Sequence, residues 1–347
     1  MKRVAFAVPG DIRTPTGGYA YDRRMISELE RLGWQIDLMT LGEGYPWPSE
    51  MTRASALDHL STVPSDTAIV IDGLALGVLP DISAKVSRHH PIVGLVHHPL
   101  ALESGLSNEQ AVALRQSERA ALSTAVRVVT TSETTARCLI ADYAVPPERI
   151  LVAPPGVDPG PIARGSSDGV VRLLSVGALV RRKGYDALIA ALAQLADLPW
   201  RLSIAGDRTR DAQTAREIEK NIGRLALSDR ISLLGAVTDI HLEELLLSAD
   251  IFVLASRFEG YGMAYAEAIA HGLPVIGTTA GAIPETVPAE AGVLIAPDDV
   301  DALAGVLCRL IQDHGERKKL AAGARNAIRH LPKWSDSARA FARALER

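Results

Sequence analysis

The sequence predicts an α/β protein built from two parallel-sheet domains. Three observations carry that expectation. Short β-rich apolar runs alternate with longer helical patterns, as in stacked βαβ units; the alternation runs through the first half and restarts in the second; and a Pro/Gly-rich stretch separates the halves. A chain of 347 residues is too long for one ordinary core and suits two domains of ~150 residues. One very large sheet is the alternative.

In the first half, strands are predicted at 4–8, 35–40, 68–72, 91–97, 126–131 and 150–153, with helices near 19–32, 108–123 and 133–143. The second half places strands at 171–176, 201–205, 231–234, 251–254, 274–277 and 293–295, with helices in the gaps. Pro154-Pro155-Gly156-Val157-Asp158-Pro159-Gly160-Pro161, then Gly165-Ser166-Ser167-Asp168-Gly169, has the composition of a linker. The expected layout is a first domain over 1–156, a linker over 157–169, a second domain over 170–332 and a final helix over 333–347. Two such sheets facing a cleft would put their strand carboxyl ends, where parallel sheets bind ligands, on opposing walls.

Composition narrows the function classes. Hydrophobic residues make up 47% and charged residues 22%, near the globular average, so wholesale disorder is excluded. With 37 basic against 41 acidic residues, the net charge of -4 provides no global basic field for nucleic acid. Cys138 and Cys308 are far apart and match no ligand spacing, which fits a reducing cytoplasm and no cysteine zinc site. The apolar run after Met1-Lys2-Arg3 breaks at Pro9-Gly10-Asp11, too short for a signal peptide, and no stretch approaches a spanning helix. The tail from Glu316 holds nine Lys/Arg against three Asp/Glu, with Arg339, Arg343 and Arg347 at four-residue spacing on one helical face. This is expected to be a solvated face, capable at most of a weak peripheral membrane contact.

The chemistry concentrates in the second half. Ala255-Ser256-Arg257-Phe258-Glu259-Gly260-Tyr261-Gly262-Met263 follows a predicted strand and opens a helix that carries Glu267 and stops at Gly272-Leu273-Pro274. Glycines before a helix leave backbone amides free for anionic or hydroxylated groups, while carboxylates beside a phosphate suit sugar hydroxyls. Gly260 and Gly262 lack the third glycine of a dinucleotide fingerprint. Ser175-Val176-Gly177-Ala178-Leu179-Val180-Arg181-Arg182-Lys183-Gly184 places three cations at a strand end, where they can neutralise a diphosphate leaving group.

Together with Ile204-Ala205-Gly206-Asp207 and Ala280-Gly281-Ala282-Ile283-Pro284-Glu285, these pieces resemble, in order and spacing, the second domain of the retaining, GT-B-fold glycosyltransferases of family 4. Gly17-Gly18 and His97 fit its first domain. The resemblance implies two Rossmann-like domains, a nucleotide-sugar donor, a small-molecule, glycan or lipid-linked acceptor, and no metal or other cofactor. It implies that Glu259 faces the sugar hydroxyls, that the amides of Gly260, Tyr261, Gly262 and Met263 hold the sugar and distal phosphate, and that Glu267 binds the ribose. Lys183 matches the diphosphate lysine, Gly17 and Gly18 would admit the phosphates, Gly206 belongs to the donor wall, His97 would lie near the sugar, and Val237 and Thr238 would border the base. The family usually carries arginine where this chain has Ala178, so Arg181 or Arg182 would replace it, or phosphate binding is weaker. Same-face attack, with a leaving phosphate oxygen taking the acceptor proton, is the implied mechanism. The alternatives are a GT-B-like nucleotide-sugar epimerase and a catalytically silent nucleotide-sugar-binding partner protein.

Other signals point elsewhere. Asp299-Val300-Asp301 opens a helix and reads as a cap rather than a metal site. His89-His90 and His97-His98 lack a third ligand at fitting spacing, and His98 reads as structural.

Overall fold

The computed structural model describes residues 2–65 and 67–346 and contains two compact units, 1–156 with 332–347 and 157–331. Met1 and Arg347, the latter closing the basic tail stripe, lie outside the described residues.

The first unit runs β1 (Lys2–Val8), α1 (Gly17–Arg31), β2 (Trp34–Thr40), α2 (Glu50–Ser61), β3 (Ala68–Asp72), α3 (Gly73–Leu76), α4 (Pro80–Val86), β4 (Ile92–Val96), α5 (Asn108–Ser123), β5 (Arg127–Thr130), α6 (Glu133–Tyr143) and β6 (Ile150–Val152). All its strands are parallel, in the order β2-β1-β3-β4-β5-β6, with Val4 opposite Ile36 on one side and Ala68 on the other. β4 is buried along its whole length, as expected of a strand covered on both faces. Crossovers run to opposite sides of β1, so the chain direction switches between β1 and β3, the place where such sheets open a crevice at their carboxyl ends.

The second unit repeats the scheme: β7 (Val171–Val176), α7 (Tyr185–Ala193), β8 (Trp200–Ala205), α8 (Ala212–Arg224), β9 (Ile231–Gly235), α9 (Asp239–Ser248), β10 (Ile251–Val253), α10 (Met263–Ala270), β11 (Val275–Thr278), α11 (Ile283–Thr286), β12 (Gly292–Ile295), α12 (Val300–Gln312) and α13 (His314–Ala327). Its parallel order, β12-β11-β10-β7-β8-β9, puts the switch between β7 and β10. Leu173, Leu188, Ile204, Phe252, Ile276 and Leu307 join both faces of this sheet in one core. The last helix, α14 (Trp334–Leu345), packs in the first unit: Phe341 stacks on Phe6 at 6.3 Å, Trp334 lies 5.7 Å from Tyr21, and the Ser337 hydroxyl donates to the Pro154 carbonyl.

Strand ends differ from the sequence reading by a residue or two, the usual uncertainty of boundaries. Three differences have physical causes. First, α1 begins at Gly17, because the Thr16 hydroxyl caps it by accepting from the Tyr19 amide at 3.2 Å; Gly17 and Gly18 therefore form the first helical turn, not a loop ahead of it. Second, α2 was not expected, since only Ala56 and Leu60 are buried and the segment shows little amphipathic pattern. Third, Pro332 follows α13 and ends one helical run before α14 starts, so the basic tail is divided between two helices; Arg317 donates to the carbonyls of Leu310 and Ile311 at the end of α12. Asp299 accepts from the Ala302 amide at 2.9 Å and caps α12.

Glu118 of α5 is buried and accepts from the Leu100 amide at 3.0 Å, anchoring the turn that follows β4. Burial raises its carboxyl from 4.5 to about 8. Because the folded state binds this proton more tightly than the unfolded chain, the stability it contributes is complete below pH ~4.5 and is lost as pH rises through about 8. Thermal melts of Glu118→Gln should lie close to wild type at pH 5 and roughly 10 °C above it at pH 9.

Candidate functional site

In the second unit the loops after β7 and β10 meet at the switch point and are bound to each other by main chain and side chain. The Arg257 amide donates to the Arg182 carbonyl at 2.7 Å, and its guanidinium donates to the Arg181 carbonyl at 2.6 Å while bridging Asp186 and Asp298. Arg182 returns a bond to the Phe258 carbonyl at 2.8 Å. The short turn carrying all three cations is thereby held against the loop carrying Glu259.

Glu259 is the centre of that junction. It is 6% exposed, and its Oε1 accepts from Lys183 Nζ at 2.7 Å and the Ser256 hydroxyl at 2.6 Å, while Oε2 accepts from Arg182 at 3.0 Å. Burial works to raise its carboxyl, but the two cations and the hydroxyl overcome that and hold it at about 2. The carboxylate is therefore ionised and oriented at any physiological pH. Arg182, not Arg181, stands with Lys183 on Glu259. Arg181 is exposed and lies near Asp211.

Past Glu259 the chain turns into α10 through Gly262, whose φ of +96° lies in the left-handed region and where a Cβ would sit 2.7 Å from the Tyr265 ring. No side chain caps α10, which leaves its first amides, starting at Met263, available at the site. Tyr261 is buried, and its carbonyl accepts from Thr286 at 2.6 Å; Gly260 is partly exposed. Glu267, one turn along α10, has no side-chain hydrogen-bond partner among the described residues, and burial raises its carboxyl, with His271 opposing and Asp239 adding to the shift. Asp239 opens α9, which Thr238 caps by accepting from the His241 amide at 3.3 Å, so Val237 and Thr238 lie by the same wall. Gly206 follows β8, and a Cβ there would fall 1.8 Å from the Gly177 carbonyl oxygen; only glycine lets these two strand ends close up.

The sequence profile of the Glycosyl transferases group 1 matches residues 171–313, and that of Glycosyltransferase Family 4 matches 69–160, together more than half of the chain. This chain belongs to the group 1, family 4 glycosyltransferases. It is 27% identical to the MMP alpha-(1->4)-mannosyltransferase of Mycolicibacterium hassiacum over 87% of this chain and 75% of that protein. Several further relatives match over about half of their own length. Among solved structures, the sucrose-phosphate synthase of Thermosynechococcus elongatus superposes with a TM-score of 0.82 at 21% identity, covering 98% of both chains. Anabaena HepE in complex with UDP and glucose reaches 0.75 at 19% identity, covering 98% of both chains. The fold is the GT-B architecture.

The first unit of this glycosyltransferase gathers a second group of polar residues at its own switch point. His97 follows β4, Asp72 ends β3 and Asp22 lies on α1; one ligand atom from each falls within 4.8 Å of the others, a set able to hold a metal ion. The sequence reading found no third ligand for His97, because Asp22 and Asp72 are 75 and 25 residues away. The signals were there: an acid closing the apolar run Ala68-Ile69-Val70-Ile71-Asp72, and an acid on the buried stripe of α1 between Tyr21 and Met25. Ser256 and Arg257 were also left without a role. His98 contacts Glu103 at 3.3 Å, and His90 contacts the Thr67 carbonyl at 3.2 Å.

Since Glu259 is depressed below its ordinary 4.5, its pairing stabilises the fold above that pH and ceases to do so as pH falls through about 2. Glu259→Gln should lower unfolding stability at pH 7 by about 2 kcal/mol, less than the ~3–5 kcal/mol of a fully buried pair because Lys183 and Arg182 keep some water. Denaturant titrations from pH 7 to 3 should show the gap from wild type narrowing.

Proposed function

We propose that the chain transfers a hexose from a nucleotide sugar to a hydroxyl-bearing acceptor, with retention of anomeric configuration and without a metal. The observation that carries this reading is the grouping of an ionised Glu259, two cations and uncapped α10 amides at the switch point of the second unit, with Glu267, which has no side-chain hydrogen bond among the described residues, on the same helix.

In this reading the α10 amides and Lys183 take the distal phosphate, and Arg182 supplies the charge that Ala178 lacks. Glu259 accepts from sugar hydroxyls, and Glu267 accepts from the ribose between α10 and the Val237–Thr238 edge. The acceptor oxygen bonds to the anomeric carbon as the bond from that carbon to the phosphate oxygen breaks, on the same face. The acceptor proton passes to the departing phosphate oxygen, so no separate base is required. Lys183 and Arg182 stabilise the charge that grows on the diphosphate. His97 contributes a contact to the sugar. Free Cys138 and Cys308 suit a reducing, cytoplasmic setting, and among the described residues no helix is long and apolar enough to cross a membrane.

A panel of GDP-mannose, UDP-glucose, ADP-glucose and dTDP-glucose, each with and without chelator, tests the assignment. GDP-mannose leads because a mannosyltransferase is among the relatives. Acceptor-dependent release of nucleoside diphosphate that survives chelator supports it; release restored only by manganese or magnesium rejects metal independence. Altered sugar without transfer favours the epimerase, and binding without turnover favours a silent binder.

Two substitutions separate the roles. Lys183→Ala should lower turnover ~10²-fold or more and, because it leaves the buried Glu259 carboxylate short of a cation, also lower stability by about 2 kcal/mol, and Arg182→Ala should reproduce part of both defects whereas Arg181→Ala should not. Glu267→Ala should weaken nucleoside diphosphate binding ~10–100-fold by calorimetry, the loss of a charged acceptor for ribose hydroxyls.

A further inference from the structure

Arg257 stands two residues before Glu259, and all three of its guanidinium nitrogens are engaged within the fold. Nη1 donates to the Arg181 carbonyl at 2.6 Å, and Nε donates to Asp298 Oδ1 at 2.8 Å. Nη2 donates to Asp186 Oδ2 at 2.7 Å and lies 2.7 Å from Asp298 Oδ1. The Arg257 amide takes the Arg182 carbonyl at 2.7 Å. One residue of the loop after β10 thereby joins the turn after β7, the start of α7 at Asp186, and the loop between β12 and α12 at Asp298.

This is more than a surface ion pair. The side chains of Asp186 and Asp298 are 54% and 55% exposed, so their pairing with Arg257 adds little to stability. What it fixes is geometry. Asp298 is a non-glycine residue held at a φ of +62°, a left-handed conformation kept where the surroundings impose it. Its carboxylate and that of Asp186 orient the planar guanidinium so that Nη1 meets the Arg181 carbonyl. Arg181–Lys183 is a single helical turn, whose carbonyls have no following turn to receive them. The Gly184 amide reaches the Arg181 carbonyl only at 3.2 Å, and Arg257 supplies the shorter bond. Holding the carbonyls of Arg181 and Arg182 fixes the peptide planes on both sides of Arg182, and with them the directions in which Arg182 and Lys183 leave the chain. Gly184 sets how close the turn can come, since a Cβ there would fall 1.9 Å from the Ala255 carbonyl oxygen, and the Lys183 stem runs over Gly177, where a Cβ would lie 2.9 Å from its Cε.

We propose that Arg257 is a positioning residue for diphosphate capture: aimed by Asp186 and Asp298, its guanidinium holds the Arg181–Lys183 turn so that Arg182 and Lys183 present their charges where the diphosphate lies. Arg257 contacts no phosphate itself. The inference rests on the reading that Lys183 and Arg182 take the diphosphate, and it adds that a third cation, from a neighbouring loop, sets their aim. Small displacements of such groups cost orders of magnitude in rate. Lysine is no substitute, because one ammonium cannot serve two carboxylates and a carbonyl as a planar fork does.

Displacement calorimetry on the full chain, comparing GDP, UDP, ADP and dTDP with their nucleosides, tests this. In Arg257→Gln and Arg257→Lys, affinity for the diphosphate that the wild type binds should fall about tenfold or more, while affinity for the matching nucleoside stays within about twofold. The kcat for nucleoside diphosphate release from the corresponding nucleotide sugar should fall about tenfold or more in both variants. Asp186→Asn and Asp298→Asn should each show part of the defect with the same selectivity, and they decide the matter if circular dichroism finds the Arg257 variants unfolded. Unchanged diphosphate affinity in folded Arg257→Gln would overturn the proposal. So would equal losses for diphosphate and nucleoside, which mark a merely structural role, or full rescue by Arg257→Lys, which would make charge and not geometry the cause. A ligand-free measurement separates the inference from the function it rests on. In ¹³C NMR, with Glu259→Gln assigning the signal, the Glu259 carboxylate should stay ionised at pH 4 in the wild type and titrate about one pH unit higher or more in Arg257→Gln, as Lys183 and Arg182 lose their aim. A wild type that binds none of the nucleotides would reject the reading of the site, while the Glu259 titration would still decide whether Arg257 holds the cations; an unmoved titration rejects it.

Discussion

The ion-paired carboxylate of Glu259 is the constraint on which the donor-side architecture depends. A parallel sheet brings the ends of β7 and β10 side by side, but it does not bind the irregular segments that leave them. Those segments carry three cations on one side and an acid on the other. Lys183 and Arg182 meeting Glu259, with Arg257 tied to the carbonyls of Arg181 and Arg182, convert two separate loops into one wall. Ionic groups this poorly hydrated are stable only when every charge has a partner. Ser256 completes the set on the carboxylate, and Thr278 holds the Ser256 carbonyl at 2.6 Å, which carries the network into β11.

The same pairing has a consequence for ligand binding. Without a donor, the cations that would face a diphosphate are already neutralised by an acid of the site. They are pre-positioned, and their desolvation is largely met within the fold. In the proposed transfer, a diphosphate at this wall would meet oriented donors at little reorganisation cost, which is the condition for strong electrostatic stabilisation of a leaving group. Glu259 in turn is fixed as an acceptor, and a rigid carboxylate discriminates among hydroxyl arrangements better than a mobile one.

The first unit solves a related problem differently. At its switch point two buried acids, Asp22 and Asp72, meet an imidazole, His97, instead of a lysine or arginine. The ring is flat enough to lie against Tyr21 and above Gly18. Glu118, whose carboxyl burial pushes up as it does that of Asp22, supports the turn just beyond His97 through the Leu100 amide.

Local chemistry in the sequence was sufficient for the fold class and for marking the two loops that carry Lys183 and Glu259. Apolar runs of strand length, helix-opening residues and the Gly260 to Gly262 turn act over a few positions, so their signal survives in the linear order. The spacing of Glu259 and Glu267 likewise reports a loop followed by about one turn of helix. Strand order is another matter: every βαβ crossover looks alike locally, and nothing in the period of β7 or β10 says that they are neighbours while β9 lies at the edge. That arrangement is decided by how complete layers bury their faces together, and it selects Arg182 over Arg181 as the companion of Lys183. It also draws Asp22, Asp72 and His97 from three elements onto one ring nitrogen. Electrostatic neutralisation and burial act through space, so groups distant in the chain acquire their protonation states and partners only once the sheets are assembled.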